Sequence, residues 1–414
     1  MLSDAKALAG VRVLELTNYI AGPMVGRMMA DMGAEVVKLE MPTRGDYSRG
    51  PMPPAGAAQR YNSGHAFYNR GKQSLCIDLK RPQGAALVRD LVRHFDVFIE
   101  NLTPGLVNKY GLGWTELSAI NPRLIMCSVS AFGQTGPMAA FPGTDAIAQA
   151  TSGITSLTAD ANGTPIFTGV FMADGNAGVS AYGAVVTALF FREKSGVGQY
   201  IDLSLSESIF HLHDNSLCSW LFSRGADVPG PFGSHRNGDG PHGYFKAADG
   251  YLILVVLTHR WPQFTDAIGM PELRDDPRFQ TMQGRSDNRY VLAVIVEEWI
   301  QKNFKTREEA IKFFRDAGLI AAPVLSIAEA VNHPQLKDRG IMETIDVPGV
   351  GEVALPKTPF HMSKTPPQIP PLVAMLGENN NEILSKRLGY SADKIAALLK
   401  DGVLAQDPTL AQPA

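Results

Sequence analysis

An aspartate set between an apolar run and a stretch of small residues is the feature of this sequence most suggestive of chemistry. Asp174 lies in Gly169-Val-Phe-Met-Ala-Asp174-Gly175-Asn176-Ala-Gly178. A carboxyl group near its reference pKa of about 3.9 is ionised at neutral pH and can attack an activated carbonyl. Gly175 beside it carries no side chain to cover its N–H, which makes it a candidate oxyanion donor. The same pattern fits a turn or helix N-cap aspartate, and taken alone it favours that structural role. A second signal is basic: Arg70, Lys72, Lys80 and Arg81, with Asp78 the one acid among them. Such a cluster is ordinarily solvated surface, but at a strand terminus of an α/β fold it can receive nucleotide phosphates.

Other familiar chemistries lack their partners. Gly238-Asp-Gly240-Pro-His-Gly243 fits G-x-G-x-x-G, yet no strand is expected before it and Pro241 stands where a helix should open. It reads as a flexible loop, not a dinucleotide fingerprint. His211 and His213 are two apart and belong to different faces of a helix, with no carboxylate cluster nearby, so structural histidines and no metal are expected. No G-x-S-x-G elbow occurs. Cys76, Cys127 and Cys218 are widely spaced, which predicts neither disulfides nor structural zinc.

The elements that position these residues can be read from composition and periodicity. With 414 residues, 45% hydrophobic and 19% charged, the chain buries roughly three quarters of its unfolded surface and exceeds one ordinary core, which predicts two domains. A net charge of -3, from 38 basic and 41 acidic residues, argues against nucleic acid or an anionic membrane as partner, since both select a basic surface. Residues Met1 to Gly10 lack a signal-peptide pattern and no apolar run has spanning length, so a cytoplasmic protein without a membrane partner is expected.

Arg12–Leu16, Glu35–Glu40, Ser74–Asp78, Asp96–Glu100 and Leu124–Ser128 read as strands, alternating with helices from Gly22 to near Gly33, over Pro82–His94 and over Trp114–Ile120. That alternation predicts a doubly wound α/β sheet with its ligand beyond the carboxyl ends of the strands. Gly178–Arg192 is expected as a tightly packed helix, and Arg224–Gly243 as a loop or domain boundary. After it come a strand at Tyr251–Leu257, helices at Trp261–Ile268, Asn288–Asn303 and Thr306–Ala317, and a Pro-rich crossing segment ending in a helix at Asn379–Leu388. The expected division is a discontinuous large domain over 1–205 and 322–414, a linker over 206–223 and a small α+β domain over 224–321.

Taken together, the segments resemble the class III CoA-transferase family, which includes formyl-CoA:oxalate and carnitine CoA-transferases. The resemblance rests on Gly10-Val-Arg-Val-Leu-Glu-Leu followed by Ala21-Gly-Pro, on Asp31-Met-Gly-Ala-Glu-Val-Val-Lys-Leu-Glu40, and on Asn69-Arg-Gly-Lys-Gln-Ser-Leu-Cys-Ile-Asp-Leu-Lys80. Further on it rests on Asp96-Val-Phe-Ile-Glu-Asn101, Thr103-Pro-Gly105, Asn121-Pro-Arg-Leu-Ile125 and Phe132-Gly-Gln-Thr-Gly-Pro137.

The resemblance implies that Asp174 is the nucleophile, with Gly175 beside it. It places CoA contacts on Ala21, on Ile77, Asp78, Leu79 and Lys80, on Asn101, Leu102 and Thr103, and on Lys109. It implies a Rossmann-like large domain, an interlocked homodimer, acyl-CoA and small carboxylate substrates, and no permanently bound cofactor. Ile20, Met41 and Lys109 depart from residues of the formyl-CoA enzymes, and lysine for arginine at Lys109 keeps charge but loses the bidentate fork. Racemases of the same family pair the aspartate with a histidine in an Ala-Gly-His-Asp segment; here that segment is Pro142-Gly143-Thr144-Asp145. Threonine, whose hydroxyl is neither a useful base nor a useful acid near neutral pH, cannot act as the second acid/base in α-proton exchange, so a transferase is favoured over a racemase, with a catalytically silent CoA-binding protein as the third alternative. Glycines from Gly230 to Gly243 are expected to let that loop close over the intermediate, with His235 or Arg236 contacting a small di- or hydroxycarboxylate acceptor.

Overall fold

The structure, a computed structural model, describes residues 6–411 apart from 51–62, 161, 239 and 349. Two compact units divide the chain: one runs to Ser152, takes in Gly169–His213 and resumes at Arg339, while the other comprises Gly153–Thr168 and Asp214–Asp338. The segment expected as a linker therefore splits at His213, and 322–338 groups with the smaller unit.

The larger unit is built on six parallel strands, β1 (Arg12–Leu16), β2 (Glu35–Glu40), β3 (Lys72–Cys76), β4 (Val97–Glu100), β5 (Ile125–Ser130) and β6 (Gln199–Ser204). Their order is β3-β2-β1-β4-β5-β6. Val13 pairs with Val36 on one side of β1 and with Val97 on the other. The order reverses between β1 and β4, and a crevice at the carboxyl ends of such a pair is where open α/β sheets bind ligands.

The connecting elements are α1 (Ala21–Asp31), α2 (Ser63–Asn69), α3 (Pro82–Val92), α4 (Leu106–Lys109), α5 (Trp114–Ile120) and α6 (Asp145–Thr151). Then come α7 (Ile154–Leu157), which belongs to the smaller unit, α8 (Met172–Ser195) and α9 (Leu205–Phe210). Pro82 sits in the first turn of α3, where its missing N–H costs nothing, and Gly33 takes the left-handed conformation that releases the chain after α1.

Strand periodicity sorts the two faces. Leu14, Leu16, Val37, Leu39, Leu75, Phe98 and Met126 pack with Leu87, Val88 and Leu91 of α3, Leu117 of α5 and the C-terminal Ile383, Leu384 and Ile395. The opposite face, under α1 and α8, carries buried charges. Lys72 Nζ lies 2.7 Å and Lys38 Nζ 3.2 Å from Glu15 Oε1, and Lys38 Nζ also meets Asp46 Oδ2 at 2.8 Å.

In the smaller unit, β7 (His242–Ala247), β8 (Gly250–Val255) and β9 (Ile320–Pro323) form an antiparallel sheet in that order. Phe245, Leu252 and Leu254 pack there with Phe264, Val296, Ile300 and Phe314 from helices at Trp261–Ala267, Arg289–Asn303 and Arg307–Asp316. In the larger unit, the Pro-rich stretch contains a hairpin, β10 (Met342–Val347) and β11 (Gly351–Pro356), and a helix at Ala392–Lys400 follows the expected one.

Candidate active site

Asp174 occupies the first turn of α8, not a turn ahead of it, and α8 begins at Met172, six residues before the expected start. The N-cap Phe171 offers no side-chain acceptor, so the orphan amides must be met from elsewhere. Asp145, the first residue of α6, meets them: its Oδ1 accepts from Ala173 N at 2.7 Å and Asp174 N at 3.0 Å, while Gln149 Nε2 donates to its Oδ2 at 2.6 Å. Further along, Asn176 Nδ2 donates to the Ser208 carbonyl at 2.7 Å, tying α8 to α9. Gly178 lets α1 approach, since a Cβ there would stand 2.8 Å from Met24 Cβ and 3.1 Å from the Ala21 carbonyl oxygen.

This setting corrects two expectations. Burial, and then the Asp145 charge, push the Asp174 carboxyl up to about 7, so it is not the fully ionised group its reference pKa suggested. Gly175 N–H already donates to the Phe171 carbonyl at 2.9 Å, the first turn of the helix, and does not serve as an oxyanion donor. A Cβ at Gly175 would meet nothing within 4 Å, so the glycine leaves open space beside Asp174 instead.

Ala21 opens α1 directly after β1, and Asn101–Thr103 follow β4, so these residues flank the point where strand order reverses. Asn101 stitches the two loops: its Oδ1 accepts from Asn18 N at 2.7 Å and its Nδ2 donates to the Asn18 carbonyl at 2.8 Å. Its side chain is thus committed to the protein. Leu102 N–H donates to Glu100 Oε2 at 2.9 Å, and burial pushes the Glu100 carboxyl up to about 7. Thr103 is exposed.

At the end of β3, Ile77 and Leu79 are core residues, with Ile77 N–H given to the Glu40 carbonyl and Asp78 N–H to that of Val403. Any ligand contact from Ile77 and Leu79 is therefore limited to backbone. Lys80, Arg81 and Lys109 are exposed, Arg81 lying 3.4 Å from Asp78. Two members of the basic cluster are excluded from phosphate binding. Arg70 is fully buried against Asp31 at 3.0 Å, and Lys72 is buried in the Glu15 network, where burial pulls its ammonium down to about 7 despite the Glu15 charge.

His235 is also corrected. It is buried, with its ring against Phe245 and Tyr290 at 5.0 and 5.7 Å, and a Cβ at Gly243 would strike its Nδ1. Gly243 serves this packing, and its strand β7 shortens the expected loop. Arg236 is exposed, its guanidinium 5.3 Å from the Phe232 ring centroid. Tyr68 of α2 was missed from the sequence. Burial raises its phenol pKa, Arg27 opposes, and the charges of Asp174 and Asp145 add to the rise, which places it in their electrostatic neighbourhood. No local motif marks it. Among the described residues no group of His, Cys, Asp and Glu could hold a metal ion, and no helix is long and apolar enough to cross a membrane.

Comparison with known proteins agrees with this architecture. The family model described as CoA-transferase family III matches residues 8–380. The chain is 36% identical over 394 residues to a succinate–glutarate CoA-transferase of Agrobacterium fabrum, covering 92% of this chain and 95% of that protein. It is 33% identical to a succinyl-CoA–D-citramalate CoA-transferase of Chloroflexus aurantiacus, covering 95% and 97%. A crystal structure of a CAIB/BAIF family protein from Brucella suis superposes with a TM-score of 0.81 at 33% identity, covering 92% of this chain and 99% of that one. The chain belongs to CoA-transferase family III and is a CoA-transferase.

Proposed function

We propose that this enzyme moves CoA from an acyl-CoA to a small dicarboxylic or hydroxydicarboxylic acid through covalent intermediates on Asp174. The observation that carries the reading is the placement of Asp174. It heads a helix clamped by α1, α6 and α9, one turn from Ala21 at the strand-order reversal, with open space at Gly175 beside it. The names of the relatives, which act on glutarate and citramalate, support the acid class.

In the proposed sequence the Asp174 carboxylate attacks the donor thioester carbonyl and expels CoA thiolate, leaving an acyl–aspartyl anhydride. The thiolate attacks the aspartyl carbonyl and releases the donor acid, giving an aspartyl–CoA thioester. The acceptor carboxylate then attacks that thioester, and the thiolate expelled takes the acyl group from the second anhydride, restoring Asp174. Each step exchanges one activated acyl group for another, so the protein's task is to position groups and exclude water. Lys80, Arg81 and Lys109 are the exposed cations available to the CoA phosphates.

Intact-protein mass spectrometry after mixing with succinyl-CoA tests the reading. The expected result is a CoA adduct mapping to Asp174 and absent from Asp174→Ala. No adduct and no CoA transfer to glutarate or malate would refute it.

We propose that the chain works as a homodimer, interlocked as the family resemblance implies. Val179, Gly183, Val186 and Phe190 recur at helical spacing along α8. Val179 and Phe190 are exposed, Phe190 at 63%, and a Cβ at Gly183 would meet nothing. An apolar helical stripe left uncovered is a surface that association buries.

A further inference from the structure

We propose that the stacked rings of Tyr19 and Tyr47, with the Arg44 guanidinium over Tyr47, form a subsite for a substrate anion, either the second carboxylate of the acid or a phosphate of CoA. The inference rests on the CoA-transferase reading above and names residues to which that reading gives no role.

Backbone conformation points to the site first. Among the described residues only Tyr19, Thr43 and Arg224 are non-glycine residues with positive φ, and two of the three lie in the loops that meet here, after β1 and after β2. An aromatic residue at φ 63° is an outlier that persists only where its surroundings over-determine it. They do so here. Tyr19 N donates to Asp46 Oδ1 at 3.1 Å, Ser48 N to the same oxygen at 2.8 Å, and buried Lys38 holds Oδ2.

This bracing does not bury the ring. Tyr19 is 50% exposed and Tyr47 44%, their rings lie parallel within 4° at 5.1 Å, and the Arg44 guanidinium sits 4.8 Å from the Tyr47 centroid. No ion pair or hydrogen bond to the Arg44 side chain occurs among the described residues. A guanidinium held over an aromatic face and left without a protein acceptor keeps its N–H groups for a ligand, and its planar fork suits a carboxylate or phosphate bidentately. The position is also right: Tyr19 is two residues before Ala21, whose carbonyl lies against Gly178, one turn from Asp174.

Steady-state kinetics of Arg44→Gln and Arg44→Lys test the proposal, using glutarate against pentanoate as acceptors and succinyl-CoA against its 3′-dephospho analogue as donors. If the anion is the acid's second carboxylate, Arg44→Gln raises KM for glutarate roughly 10- to 100-fold and leaves pentanoate unchanged. If it is the CoA 3′-phosphate, KM for succinyl-CoA rises by that factor while the dephospho analogue is unaffected. In either case Arg44→Lys, which keeps the charge without the fork, recovers only part of the loss. Wild-type transfer with both ratios unmoved in Arg44→Gln overturns the subsite alone; absence of transfer by the wild-type chain overturns it together with the functional reading.

Discussion

A carboxylate at the head of a helix is normally acidified by the amides gathered there. At Asp174 the opposite holds, because burial disfavours the charged carboxylate and Asp145, which already accepts from the Ala173 and Asp174 amides, adds a second negative charge beside it. The folded chain therefore keeps a proton that the unfolded chain, with a pKa of about 3.9, releases. Stability falls as pH rises through the window from about 4 to about 7. Asp174→Asn carries no such proton, so it is expected to be more stable than wild type above pH 7, with the gap closing toward pH 4; urea unfolding at several pH values checks this, and a pH-independent gap contradicts it. The acid limb of kcat/KM is expected near pH 7 and should move down in Asp145→Asn. Glu100 is pushed up to about 7 as well, so retention of the limb in Glu100→Gln assigns it to Asp174.

At the scale of elements, α8 is held by what its small residues permit. Gly178 brings α1 and the loop ahead of it against the helix that carries Asp174, and a larger side chain there meets Met24 and the Ala21 backbone. Gly178→Val is expected to cost about 1–3 kcal/mol from overpacking, measured by urea denaturation, and to lower kcat by displacing Asp174 from the β1 loop; unchanged stability would show that α1 yields freely. The β1–β3 face shows why a run of basic residues need not be a surface. Lys72 alternates inward with Ser74 on β3, opposite Leu75, and meets Glu15 across the sheet. Removing one member of such a buried pair commonly costs about 3–5 kcal/mol, which makes Lys72 part of the scaffold beneath the loops and not a ligand for phosphate.

At the scale of the whole molecule, the near balance of charge means that the proposed phosphate contacts rest on a few exposed cations, and the exposed stripe of α8 is the surface assigned to the proposed dimer. Light scattering coupled to size exclusion is expected to give twice the chain mass. A monomer at micromolar concentration would remove the dimer from the proposal, and Phe190→Glu should shift the equilibrium toward monomer if the stripe is the interface.

The sequence by itself located the first five strands of the parallel sheet and the helices α1, α3 and α5, because apolar periodicity and glycine or proline punctuation are local signals; it set β3 two residues late and did not reveal α2 or α4. It also carried the family and the position of Asp174, through ordered motifs that span nearly the whole chain. It did not reveal β6 or the β10–β11 hairpin, whose residues are only partly buried and whose pairing is non-local, nor the first turn of α8 from Met172, whose Ala173 and Asp174 amides are met by Asp145 from a distant part of the chain. Only the tertiary structure decided what each charged or polar candidate does. Burial and partners distant in sequence made Lys72, Arg70 and His235 structural, closed the Gly175 amide, and raised Asp174. Side-chain chemistry is local, but its protonation state and availability are set by neighbours that folding alone brings together.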